Sequence, residues 1–302
     1  MIMTMQSKSK PAKFEREITE TVNGRMGPKV NPRTAELMSS LVRHLHDFVR
    51  DVEPTEQEWF ALVDFLTRTG QMCSDKRQEF VLLSDTLGIS MLVDAINHRG
   101  NNLPGGSRHH FQPTESTVFG PFHRAGVSEL QLGASIQGKH GGEPTVMRGR
   151  VLSDDGTSIP NAMLDVWETD EDGFYDSQKG DDLNLRGIFH SDAKGEFWFK
   201  CIKPVAYPIP DDGPVGEMLR ALGRHPWRPA HIHTIVSAAG HAPVTTHLFV
   251  KGSKYLDSDA VFGVKDSLIV TFVPNRSKKD AAKYGMTTPF HTVTYDFVLK
   301  KI

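Results

Sequence analysis

The chain changes its pattern of apolar and polar positions about a third of the way along. From about residue 30 to 100 apolar residues recur at the spacing of a helical turn, as at Leu37, Leu41, Leu45 and Phe48, then at Trp59, Phe60, Val63 and Leu66. Boundary signals accompany them. Asn31 before Pro32 reads as an N-cap with proline at the first helical position, and Thr55 with Glu58 makes a capping-box pair. Gly70 and Gly100 stand where helices should stop. About three helices are expected in this stretch. In SDTLGISMLV, Ser84 or Asp85 is a candidate for capping or restarting a helix.

From residue 144 onward the pattern shortens to alternating runs such as TVMRGRVL, NAMLDVWE, GEFWFKCI, AHIHTIVS, VTTHLFV and SLIVTFV. Turn clusters (DDG, DEDG, DAKG and AAG) separate them at spacings that suit an antiparallel sandwich better than βαβ units. The expected fold is therefore mainly β: an antiparallel β-sandwich preceded by a helical layer. Residues 1–13 are assigned to a flexible tail, 14–110 to the helical segment and 111–302 to the sandwich.

Composition narrows the range of partners. The chain has 302 residues, enough to bury a substantial core unaided, with 38% hydrophobic and 24% charged residues and a net charge of −2. Such a balance gives no electrostatic footprint for nucleic acid or an anionic membrane. No apolar run reaches the length of a signal-peptide core or a membrane span. The two cysteines, Cys73 and Cys201, show no paired spacing, which fits a reducing cytoplasm.

Candidate chemistry centres on WRPAHIHTIV, where His231 and His233 would project from the same face of a strand. An HxH pair is a weak signal taken alone, because neutral imidazoles often sit in strands hydrogen-bonded to backbone. Two of the five tyrosines, Tyr175 in DEDGFYDSQ and Tyr207 in KPVAYPIPDDG, lie at strand ends or loops, where functional side chains are commonly displayed. Two imidazoles and two phenols suit a hard, highly charged cation such as Fe(III), which stabilises phenolate. Two other readings remain open at this point. His231, His233 and His247 could form a three-histidine zinc site of a hydrolase. A non-catalytic sandwich, a transthyretin-like carrier or a sugar-binding module, is also possible in principle, but it leaves both tyrosines and Arg228 without a role.

The order GFY, then the Tyr-Pro of PVAYPIPDDGPVG, then WRPAHIH resembles the intradiol ring-cleaving dioxygenases of the catechol 1,2-dioxygenase type, which are non-haem Fe(III) enzymes. The resemblance runs from LLSDTLGISMLVDAI through TESTVFGPF to the last strands. It implies Tyr175, Tyr207, His231 and His233 as iron ligands, Tyr207 also as a proton acceptor, and Arg228 as a catalytic residue that stabilises developing negative charge. It further implies a homodimer formed through the N-terminal helices, which would make them a dimerisation segment, and bound lipid in that layer. The expected reaction cleaves an aromatic diol between its two hydroxylated carbons, with both atoms of O₂ ending in the product.

Within the family, TTHLFVKGSKYLDSDAVFGVK resembles the hydroxyquinol-cleaving branch, whereas catechol-cleaving members usually carry glutamine where His247 stands. The resemblance places Leu82, Asp85, Val118, Phe119, Gly120, Pro121, Phe122, Ile209, Pro210, His247 and Val261 around the substrate. Most are apolar and suit a flat ring. Asp85 is the exception, and a carboxylate is what a third ring hydroxyl needs as an acceptor. The expected substrate is benzene-1,2,4-triol, with catechol or a substituted catechol as the alternative. The expected product is 3-hydroxy-cis,cis-muconate, which tautomerises to maleylacetate. His247 is equally readable from the sequence as a plain solvent-side histidine.

Overall fold

A computed structural model describes residues 12–75, 77–99, 111–180 and 183–302. Gly100, an expected helix stop, and residues 1–11 of the expected tail lie outside them. The chain divides into two compact units, residues 1–66 and 67–302.

The first unit holds α1 (Lys13–Asn23), α2 (Pro32–Val52) and most of α3 (Glu56–Gln71). The expected caps are present. The Asn31 side chain accepts from the backbone N–H groups of Arg33 and Thr34 at 2.9 and 3.3 Å, with Pro32 at the first turn. Thr55 and Glu58 exchange side-chain bonds with each other's backbone at 2.8 and 3.2 Å. Arg50 of α2 donates to the Glu15 carbonyl and the Thr19 hydroxyl, tying α2 to α1. The apolar stripe that betrays α2 in the sequence stays open: Leu37, Leu41, Leu45 and Phe48 are each about half exposed.

Helix formation goes further than the sequence pattern indicates. Helix α1 starts at Lys13, ahead of the stretch expected to be helical and with Phe14, Ile18 and Val22 four apart on one face, and two short helices, α4 (Glu79–Thr86) and α5 (Ile89–Asn97), follow α3. Ser84 and Asp85 lie inside α4. The restart falls instead at Gly88, the N-cap of α5, whose φ of 74° is open to glycine at no steric cost. Gly70 lies in the last turn of α3 rather than beyond it.

The second unit is built on β1 (Pro144–Ser153), β2 (Met163–Trp167), the one-turn helix α6 (Asp176–Lys179), β3 (Arg186–His190), β4 (Glu196–Ile202), β5 (Tyr207–Pro208), α7 (Pro214–Ala221) and β6 (Trp227–Arg228). It continues through β7 (His231–Ser237), β8 (Val244–Val250), β9 (Ile269–Val270), β10 (Val273–Asn275), α8 (Lys278–Tyr284), β11 (Phe290–Thr294) and β12 (Phe297–Leu299). One five-stranded sheet runs β10-β11-β1-β12 with β4 on the other edge of β1, a second runs β3-β2-β7-β8-β9, and β5 and β6 form a separate ribbon. Alternate residues of both large sheets, including Met147, Phe197 and Phe199 from the first and Leu164, Ile232 and Leu248 from the second, share one apolar cluster. Burying such side chains supplies roughly 1.5–3 kcal/mol each.

The expectation of wholly antiparallel sheets is corrected at three pairings: β1 with β11, β1 with β12, and β8 with β9 are parallel. The connections explain this. Residues 251–268 separate β8 from β9, enough chain to return and re-enter in the same direction, which a tight hairpin cannot do. Among the described residues no helix is long and apolar enough to cross a membrane.

Strand β1 changes partner midway, from β11 at Arg148 to β12 at Val151. Gly149 lies at the change, where the Tyr295 backbone presses so close that a Cβ would stand 1.7 Å from its carbonyl oxygen. Gly149→Ala must therefore displace backbone, and is expected to destabilise the protein by about 3 kcal/mol. The shift in the urea unfolding midpoint measures this; an unchanged midpoint would refute the close crossing.

Candidate metal centre

The centre is assembled by strand register. Residues two apart on β7, His231 and His233, face one side, while Ile232 and Val236 face the apolar core. Pairing sets Trp167 of β2 and His247 of β8 on either side of His233. The Trp167 indole stacks on the His233 ring at 4.6 Å and 16°. In the ribbon, Tyr207 is paired with Arg228, which brings the phenol and the guanidinium together three residues before β7 begins at His231.

Tyr175 arrives from the turn after β2. The Asp170 side chain accepts from the backbone N–H groups of Asp172 and Phe174 at 3.0 and 2.9 Å and shapes that turn. Gly173 then passes against Tyr207 with φ of 85°, where a Cβ would come within 2.8 Å of the Tyr207 Cβ. Phe122 stacks on the delivered Tyr175 ring at 4.4 Å.

Four donor atoms converge. The Tyr175 hydroxyl lies 2.8 Å from that of Tyr207 and 2.7 Å from His233 Nε2. His231 Nε2 lies 3.4 Å from the Tyr207 hydroxyl and 3.2 Å from His233 Nε2. Metal bonds of about 2.0–2.2 Å place neighbouring ligand atoms about 2.8–3.6 Å apart, so these separations match the edges of a coordination shell. Nδ1 of His231 sits 2.7 Å from the Pro229 carbonyl, to which it donates, leaving the Nε2 lone pair facing the cluster. All four side chains are buried.

The electrostatics ask for a cation. Burial, then the neighbouring Tyr207, pushes the Tyr175 hydroxyl well above its ordinary value, and burial raises Tyr207 against the pull of Arg228. Burial and Arg228 hold His231 neutral, and burial with His247 and His231 does the same for His233. Neutral imidazoles are ready ligands, whereas the phenols become good ligands only when a strong positive charge offsets their desolvation.

Beside the cluster lies a cavity of about 640 Å³ whose walls include Asp85, Val118, Phe119, Gly120 and Pro121. Gly120 brings it against the centre, since a Cβ there would lie 3.3 Å from His233. Leu82, Phe122, Ile209 and Val261 are buried and Pro210 is half-buried, but none of these five is on the wall of that cavity. Burial raises the Asp85 carboxyl above its usual range, with Ser90 and then Arg228 working the other way. His247 is fully buried, its ring 4.0 Å from that of His233 and its Nδ1 3.4 Å from Arg228 Nη2, so the solvent-side alternative is excluded.

Comparison with known proteins shows the family. The family model described as "Dioxygenase" matches residues 118–301, and "Catechol dioxygenase N terminus" matches 31–103. Hydroxyquinol 1,2-dioxygenase of Rhizobium sp. (strain MTP-10005) is 47% identical over 291 residues, 95% of this chain and 96% of that protein. The chain belongs to the intradiol dioxygenase family. Another intradiol dioxygenase, 6-chlorohydroxyquinol 1,2-dioxygenase of Cupriavidus pinatubonensis, is 50% identical over 94% of this chain and 97% of its own length. The crystal structure of hydroxyquinol 1,2-dioxygenase from Pseudomonas putida DLL-E4 superposes with a TM-score of 0.85 at 47% identity, covering 95% of this chain and 99% of that one.

Membership makes this chain an enzyme and sets aside the carrier and the zinc hydrolase, although ring nitrogens of His231, His233 and His247 do lie within 4.8 Å of one another. Sequence reasoning missed Trp167, whose stacking follows from pairing between distant strands, and Asp259, which grips Arg228 from within the quoted YLDSDAVFGV run. It read Gly173 only as part of a turn. Gly173→Ala should drive Tyr207 away from Tyr175 and destabilise by about 1–3 kcal/mol. A lower melting temperature together with reduced metal content of the purified protein is the expected result; unchanged metal content would show that this contact does not hold the donors in place.

Proposed function

We propose that the chain binds Fe(III) through Tyr175, Tyr207, His231 and His233 and cleaves benzene-1,2,4-triol with O₂ between its adjacent hydroxylated carbons, giving 3-hydroxy-cis,cis-muconate and hence maleylacetate. The observation that carries this reading is the convergence of two phenol oxygens and two imidazole nitrogens, 2.7–3.4 Å apart between neighbours, beside a cavity large enough for an aromatic ring. When bound, Fe(III) supplies a Lewis acid that favours the ionised diol and makes a ring carbon reactive toward O₂.

The chain's own groups do the rest. The Tyr207 oxygen, between Tyr175 and His231 and ionised when it would serve as a ligand, takes up one proton from the entering diol and becomes the neutral phenol. Arg228 stabilises the negative charge that develops as the ring opens; its Nη1 lies 3.2 Å from His231 Nε2. Val118, Phe119, Gly120 and Pro121 hold the flat face of the ring. Leu82, Phe122, Ile209, Pro210 and Val261 back the pocket, and His247 supports it from β8. Asp85 selects the triol by accepting its third hydroxyl, an interaction catechol cannot make.

Residues 14–110 serve as the dimerisation segment and 111–302 as the catalytic sandwich. The exposed stripe of α2 is the natural surface for a second copy and for lipid, giving a homodimer. A cytoplasmic location agrees with the free thiols of Cys73 and Cys201.

The purified protein should be reddish from phenolate-to-Fe(III) charge transfer and lose its colour when iron is removed; a colourless iron-loaded protein would sink the ligand assignment. Asp85→Ala should reduce kcat/KM for the triol by about 10- to 100-fold and leave catechol much less affected. Equal losses on both substrates would remove Asp85 from the selectivity. Tyr207→Phe should retain part of the iron and slow turnover at least about tenfold; turnover at the wild-type rate would remove its proton-accepting role.

A further inference from the structure

Arg228 is itself held, and by more than burial. Its Nε donates to Asp259 Oδ1 at 3.0 Å and its Nη2 to Asp259 Oδ2 at 3.2 Å, a side-on fork between two buried side chains. Asp259 is fixed in turn. Its carboxylate accepts from the backbone N–H groups of Val261 at 3.3 Å and Gly263 at 3.0 Å, and the Gly263 carbonyl accepts from Thr117, on the cavity wall, at 2.8 Å. Gly263 packs closely here: a Cβ would stand 3.0–3.2 Å from Thr117, Arg228 and Asp259, so a side chain would push on all three.

The segment that carries Asp259 is strained. Tyr255 and Phe262 adopt φ of 71° and 59°, conformations that bulky residues keep only when their surroundings enforce them. The enforcement is visible: Tyr255 stacks on Trp227 at 5.4 Å, and Arg224 lies over the Phe262 ring at 4.9 Å. Strain of this kind is maintained where a side chain must be aimed.

The fork decides where the remaining guanidinium edge points. With Nε and Nη2 engaged by Asp259, Nη1 faces His231 Nε2. Arginine has no lone pair to offer, so it can only donate there, and a metal on that nitrogen would compete for the same lone pair. The Nη1 hydrogens would then be left directed at the space beside the ligands. We propose that Asp259 is a positioning residue that locks the guanidinium plane of Arg228, so that its Nη1 edge stays aimed at the reacting oxygens. This rests on the role proposed above for Arg228.

A double-mutant cycle tests it. Asp259→Asn keeps the shape, removes the charge and offers Arg228 one acceptor in place of two; it is expected to lower kcat about 10- to 100-fold with KM changed less than about threefold. Asp259→Glu keeps the charge but moves the fork by one methylene, and is also expected to be slow; it serves as the second variant if Asp259→Asn folds poorly. In an Arg228→Gln background, Asp259→Asn should cause no further loss. The crystal structure of Asp259→Asn should show Nη1 withdrawn from His231, a readout independent of turnover. If Arg228→Gln is slow while both Asp259 variants turn over at the wild-type rate, or if Asp259→Asn slows the Arg228→Gln enzyme by the same factor as the wild type, the positioning role is overturned and the reading of Arg228 stands. Wild-type turnover by Arg228→Gln overturns both.

Discussion

The double ladder of β7, to β2 on one side and β8 on the other, decides which way His231 and His233 face. Side chains alternate along a strand, so a slip of one residue would turn Ile232 and Thr234 toward the phenols and drive two imidazoles into the apolar core. The core resists that exchange because Ile232 and Val236 are packed in it. Hydrophobic burial on one face of the strand therefore enforces the placement of the two imidazoles on the other. The same register lays Trp167 and His247 alongside His233, so the centre gains its flanking rings from the pairing that builds the sheet.

Charge around the donors is handled in pairs. Arg228 is matched by Asp259, and next to the turn that delivers Tyr175, Arg186 is matched by Asp176, with all four side chains at most 4% exposed. Each pair is close to neutral as seen from a distance, although at close range Arg228 still pulls the Tyr207 phenol down against its burial. Both phenols nevertheless stay raised by burial, so a cation held by the four donors would supply the stabilisation that Arg228 leaves wanting. In the proposed reading two phenolates offset two of the three charges of Fe(III), which reconciles a buried site with a highly charged ion.

Much of this was open to sequence reasoning. The shift from helical spacing to short alternating runs separated the helical stretch from the strands, and the caps at Asn31 and Thr55 follow from local bonds that need no tertiary partner. The two histidines were readable because an i, i+2 relation on a strand is itself local. Other features depended on contacts between distant residues. The switch of β1 from β11 to β12, the parallel pairings, the stacking of Trp167 and the burial of His247 arise from strand order. Asp259 looked like one acid among several in a loop, since its partner Arg228 lies 31 residues upstream. Helix α1 does carry apolar residues four apart, at Phe14, Ile18 and Val22, but the stripe is only three residues long and lies ahead of the stretch read as helical.

Tyr207 and Arg228 sit on a ribbon of two residues per strand, outside both large sheets, whereas the histidines belong to an interior strand. Ladder bonds scale with strand length, so the ribbon has few cross-strand restraints of its own while β7 is clamped along both edges. Stiffness at the centre is accordingly uneven. The two imidazoles are placed by ladders on both edges of their strand, whereas Tyr207 and Arg228 owe their placement to side-chain neighbours, Tyr175 and Asp259.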